Sequence, residues 1–172
     1  MISYIFSGFD VKEHFGNDVS EYFKKDMKEC KSITFIPGSF EDLDKVKRYV
    51  STDVEWFKEI GIDLEEVNIL DDNTEEDVMI DNIKNADIIF IMGGDTQRQN
   101  LFLERYKLKK MIKEANGIVI GVSAGAINLG GISLCSRDPD DGVNETITYR
   151  GIERIDYTIE PHFDLNNLDL LN

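Results

Sequence analysis

The chain has 172 residues, 41% hydrophobic and 31% charged, the balance of one globular domain rather than of a disordered or fibrous chain. A chain of this length can bury about 70% of its unfolded surface, so it needs no disulfide or metal as a staple. Its formal net charge of −15 repels phosphate backbones and anionic membranes, which argues against nucleic acid and membrane as partners and leaves solubility as the plain reading of the charge.

Short apolar runs alternate with longer amphipathic segments. Ile2–Phe6 reads as a strand, without the basic start, long apolar run and cleavage site of a signal peptide. A helical pattern around Asp18–Cys30 follows. Ser32–Ile36 leads into a helix over Phe40–Ile60, with Ser39 as its expected N-cap. Leu64–Leu70 leads into Thr74–Asn85, with Thr74 and acidic residues at the helix start. Asp87–Met92 precedes a helix over Gln97–Ala115, and Gly117–Val122 runs into Ser123. The strands are dense in Ile, Val and Phe with little alternation, as expected where both faces are covered. Such βα repetition predicts a mostly parallel α/β sheet wrapped by helices. Beyond Gly130 the pattern changes to short β-like pieces, Gly131–Cys135, Glu145–Tyr149 and Asp156–Ile159, with an acidic turn-rich loop at 137–142. With no repeat or linker, residues 1–172 read as a single domain. Cys30 and Cys135 form no CxxC pair, which fits a reducing compartment; cytoplasmic residence is the expectation. No apolar stretch approaches membrane-spanning length.

The strongest chemical signal is Gly121-Val122-Ser123-Ala124-Gly125, set between an apolar strand and a small-residue helical segment. A bare GxSxG arises often by chance, but this context is the one a nucleophile elbow requires. The tight turn strains the serine and lifts its side chain off the sheet, and the helix start offers the Ala124 N–H to a developing oxyanion. A second turn, Met92-Gly93-Gly94-Asp95-Thr96, follows a parallel strand and so can lie at the same sheet edge. Its N–H groups, in the Gly94–Asp95 region, can complete an oxyanion hole. The competing reading is a strand-to-helix turn capped by Asp95 or Thr96.

Two histidines are present. His14 lies in a polar stretch and reads as a surface residue, whereas His162 ends an apolar run behind Pro161 and is the better candidate for a base. An acid that orients it is open between Asp138, Asp140 and Asp141 on the acidic loop and Glu160 two residues before the histidine.

With these residues assembled, the sequence resembles the dipeptidase E and cyanophycinase family of serine peptidases. The resemblance runs from the first strand to His162 and rests on Gly93-Gly94-Asp95-Thr96, Gly121-Val122-Ser123-Ala124-Gly125-Ala126 and Pro161-His162-Phe163. It implies a flavodoxin-like three-layer sandwich of the class I glutamine amidotransferase type, with short β segments near the C-terminus. It implies Ser123 as nucleophile, His162 as base, and main-chain donors at Ala124 and the Gly94–Asp95 region. Asp138 stands at the offset of the family's aspartate. The family's glycine turn often carries a third glycine where this chain has Asp95. Its members also continue through a further helix and strands, whereas this chain stops ten residues after His162, as in a chain truncated at the C-terminus.

The resemblance implies hydrolysis of a short peptide near its N-terminus, after an acidic residue, with no metal or organic cofactor. A homodimer is left open. The alternatives are an esterase or amidase of the same acyl-enzyme chemistry and a non-catalytic member that binds a ligand or partner at the old site. An α/β-hydrolase fits less well, because Ser123 and His162 are only 39 positions apart.

Overall fold

The computed structural model describes residues 1–137 and 143–161. Five strands, β1 (Ser3–Phe6), β2 (Ser32–Gly38), β3 (Glu66–Ile69), β4 (Ile88–Gly94) and β5 (Ile118–Val122), form a wholly parallel sheet in the order β1-β5-β4-β2-β3. The chain crosses the sheet one way from β1 to β3 and returns from β3 to β5. Because crossovers between parallel strands are right-handed, the two directions place their helices on opposite faces. Helices α1 (Gly16–Met27) and α2 (Leu43–Glu59) cover one face with Phe23, Met27, Val50 and Phe57. Helices α3 (Glu76–Asn85), α4 (Thr96–Arg105), α5 (Leu108–Glu114) and α6 (Ala124–Leu129) cover the other with Met79, Ile83, Leu103, Ile112 and Leu129. β4 shows why its sequence does not alternate. Ile88, Phe90 and Met92 face the first layer, Ile89 and Ile91 the second, and all five are buried. This is the mostly parallel three-layer α/β architecture expected. A separate antiparallel pair, β6 (Ile132–Cys135) and β7 (Ile147–Arg150), supplies short β segments after the elbow.

Four local expectations are corrected. Asp42, not Ser39, caps α2, accepting the Lys45 N–H at 2.9 Å, and Phe40 stays outside the helix to stack on Phe102 of α4. Thr74 does not cap α3. Its hydroxyl closes the preceding turn, donating to Asp71 Oδ1 and accepting the Asp71 N–H, and the helix starts at Glu76. The helix over Gln97–Ala115 is two helices, broken at Lys107, which adopts φ +56°. In one straight helix Leu108 would point about 140° away from Leu103 at 100° per residue. The break brings both into one core, where each is fully buried. Asp156–Ile159 is not a strand; it lies against the Gly130 turn, with the Tyr157 carbonyl where a Gly130 side chain would be.

Between Ile36 and Gly38 the β2–β4 register shifts. Ile36 pairs with Ile91 and Gly38 with Gly94, so β4 carries one extra residue there. A bulge of this kind interrupts the ladder and re-aims the chain beyond it, here the glycine turn.

Candidate active site

Ser123 joins β5 directly to α6. Its backbone is at φ +50°, ψ −112°, a conformation a non-glycine residue adopts only under constraint, and it is exposed between buried Val122 and Ala124. The constraint comes from both sides. The Ser123 N–H donates to Phe6 O at the end of β1 (2.8 Å), and the Ser123 carbonyl accepts the Ile127 N–H (3.1 Å). The flanking glycines let α6 sit on the sheet. A Cβ at Gly125 would lie 2.1 Å from Ile91 O, and one at Gly121 would lie 2.6 Å from Leu129 Cδ1. The G-x-S-x-G pattern is thus a packing requirement of β4, β5 and α6 that leaves the serine hydroxyl outward. This strand-turn-helix is the geometry of a nucleophile elbow.

The glycine turn lies against it. A Cβ at Gly93 would stand 3.3 Å from Ser123 Cβ and 3.9 Å from its Oγ. Gly94 has φ +134°, and Gly38 approaches so closely that a Cβ there would meet Gly93 O at 2.5 Å. The Asp95 N–H donates to Gly38 O at 3.0 Å, so that amide is committed to the turn rather than turned toward Ser123. Asp95 instead caps α4, its carboxylate accepting the Arg98 N–H at 2.9 Å. Of the expected oxyanion donors this leaves Gly94, exposed at the turn, and Ala124. As the first residue of α6, Ala124 has an amide with no intrahelical acceptor.

Asp138 and His162 lie outside the described residues, as do Asp140 and Asp141. Glu160 accepts a hydrogen bond from the Ser136 hydroxyl, just past β6. Beside Ser136, burial and then the charge of Asp95 raise the Cys135 thiol above its ordinary range, which keeps it protonated and a poor nucleophile. His14 belongs to a different cluster, bonded to Glu59 at 2.7 Å and stacked on Trp56 of α2. An open cleft of about 340 Å³, lined by Phe40, Glu41, Arg98 and Leu101 among others, lies along α4; Ser123 does not line it.

The sequence reading missed a buried polar chain behind the elbow. Asn128 of α6 donates to Thr96 O (3.1 Å) and to Gln99 Oε1 (3.0 Å), and its own oxygen accepts from Asn100 (2.9 Å). Gln99 donates to Ile36 O (3.2 Å) and Met92 O (2.9 Å), on either side of the bulge. Asn100 reaches on to Ser133 and to Arg150 O of the β6–β7 pair. Gln99 and Asn128 are fully buried. The available signal was polar amides at otherwise apolar positions: Asn128 sits in a helix whose every residue is buried.

A three-layer parallel α/β sheet with a strained, exposed serine on its strand-to-helix elbow defines the chain as a nucleophile-elbow protein. It belongs to Peptidase family S51, whose model matches residues 5–169, and is therefore a peptidase-family chain of the dipeptidase E type. The fold is shared with a candidate Peptidase E protein from Listeria monocytogenes EGD-e (TM-score 0.65, 23% identity, 96% of this chain and 81% of that one). It is shared also with a peptidase from an acI-B1 Actinobacterium (TM-score 0.69, 18% identity, 98% and 74%). A search of curated proteins finds no match. Among the described residues no helix is long and apolar enough to cross a membrane.

Proposed function

We propose that the chain is a serine peptidase that cleaves short peptides near the N-terminus, after an acidic residue, through an acyl-enzyme on Ser123. The observation that carries this reading is the backbone of Ser123, held at φ +50° and exposed beside the Gly93–Gly94 turn. In the proposed mechanism Ser123 Oγ attacks the scissile carbonyl carbon while His162 takes its proton. The carbonyl electrons move to oxygen, where the Ala124 N–H and the Gly94 turn stabilise the charge. Collapse of the intermediate expels the amine, which His162 protonates, and water then repeats the sequence to release the acid. Asp138, with Glu160 as the alternative, would orient His162; Glu160 accepts from Ser136 through one oxygen and keeps further acceptor sites.

Intact mass after treatment with a fluorophosphonate tests the reading. Wild type should gain one adduct, and Ser123→Ala and His162→Ala none while staying folded. The labelling rate should rise with pH as the imidazole loses its proton. Asp138→Asn should lower kcat far more than it changes KM, with Glu160→Gln near wild type; the reverse pattern would give Glu160 the role. An inert Ser123 in folded protein favours a binding protein. Labelling without cleavage of any peptide in a panel of acidic, neutral and basic N-terminal residues favours an esterase or amidase.

A further inference from the structure

Gln99 lies outside the catalytic constellation, yet its one amide bonds main-chain carbonyls of β2 and β4 and a side chain of the elbow helix. Its Nε2 donates to Met92 O, the carbonyl just before Gly93–Gly94, and to Ile36 O, two residues before Gly38. Those two carbonyls flank the place where β4 carries its extra residue and the ladder is broken. Its Oε1 accepts from Asn128, five residues beyond Ser123 on the elbow helix. The Met92 carbonyl takes a donor from Gln99 and Asn128 supplies a donor to Gln99, so the amide has one orientation. Asn128 in turn donates to Thr96 O and to Gln99 and accepts from Asn100. No described side chain other than Gln99 joins the glycine turn, the end of β2 and the elbow helix in this way.

We infer that Gln99 is a positioning residue: it sets the separation between the Gly94 turn and the Ser123–Ala124 elbow, and hence the fit of the oxyanion site. A buried amide bonded to three elements is rigid, and a pair of donors must be held to a fraction of an ångström to favour a transition state. The inference rests on the serine-peptidase reading for its catalytic consequence, but not for its structural one.

The test compares Gln99→Met, which keeps the side-chain length but has no donor, with wild type well below the unfolding transition. Fluorophosphonate labelling and kcat should fall about 10- to 100-fold, with KM within about twofold, since a displacement near 1 Å costs on that order. Amide exchange followed by NMR should quicken at Asp95, whose N–H is held by Gly38 O, and at Ile127, whose N–H is held by Ser123 O. Arg154→Lys serves as the control for stability alone: Arg154 acts at the far end of the sheet, donating to Ser3 and to the carbonyls of Ala115 and Gly117. It should label at the wild-type rate despite a lowered Tm. If Gln99→Met does not fold, Gln99→Glu keeps the shape and the Asn128 contact but faces both carbonyls with an oxygen. It should be slow at pH 8 and recover toward wild type as the carboxyl takes up a proton. Wild-type labelling and exchange in either folded variant would overturn the inference and leave the peptidase reading standing. Failure of wild type to label would remove the peptidase reading, while the exchange rates would still decide the positioning role.

Discussion

At Gly93 the missing side chain matters more than backbone freedom. Its φ is not in the left-handed region, so alanine fits the backbone, yet the added methyl would stand 3.3 Å from Ser123 Cβ. Gly93→Ala should therefore leave Tm nearly unchanged and lower labelling of Ser123 by about tenfold or more, because the crowded hydroxyl loses its attack geometry. Equal labelling of the two proteins would show that Ser123 yields without loss. Gly125→Ala makes the useful contrast, since its methyl would meet Ile91 O at 2.1 Å and can be relieved only by moving α6 off the sheet. That variant should lose stability outright. The serine and the glycines were legible in the sequence because elbow chemistry and elbow packing demand the same residues. Gln99 was not, because a buried amide is recognised by the carbonyls it satisfies, and those come from β2 and β4, 63 and 7 residues away.

Among the elements, each central strand could be read from its apolar run, since a strand covered on both faces needs no partner-specific pattern. Caps and breaks could be read only in part. Asp95 was one of two residues expected to cap α4 and does so, whereas α2 is capped by Asp42 and not Ser39, because packing of Phe40 on Phe102 decided where α2 begins. The α4–α5 break likewise follows from the core and not from a breaker residue, for Lys107 has no intrinsic preference for φ +56°. Glycine is the residue that position favours at the end of a helix. Lys107→Gly should accordingly raise stability by about 0.5–1 kcal/mol, the relief of left-handed strain exceeding glycine's larger unfolded-state entropy. A urea midpoint that moves downward would mean that the left-handed turn carries no strain to release.

For the whole molecule, the acidity has a consequence inside the fold as well as on its surface. Asp53 lies on the stripe of α2 that carries Val46, Val50 and Phe57, turned toward the α1–α2 layer of the core. Burial pushes its carboxyl up to about 7, and none of the ion pairs among the described residues involves it. The unfolded chain releases this proton near the ordinary value of 3.8, so between about pH 4 and pH 7 the folded state holds a proton that the unfolded state has lost. Stability therefore falls as pH rises through that window and, for this group, levels off above it. Mutual repulsion within a chain of net charge −15 acts in the same direction, so wild type alone does not isolate Asp53. A difference does. Asp53→Asn keeps the shape without the charge, and its Tm gain over wild type should be largest at pH 8 and shrink steadily toward pH 5.5. The series stops there because the pI is about 4.4 and association sets in as the net charge vanishes. A gain of the same size at every pH would show that the substituted amide packs better for some other reason and that the buried carboxyl carries no charge penalty at neutral pH.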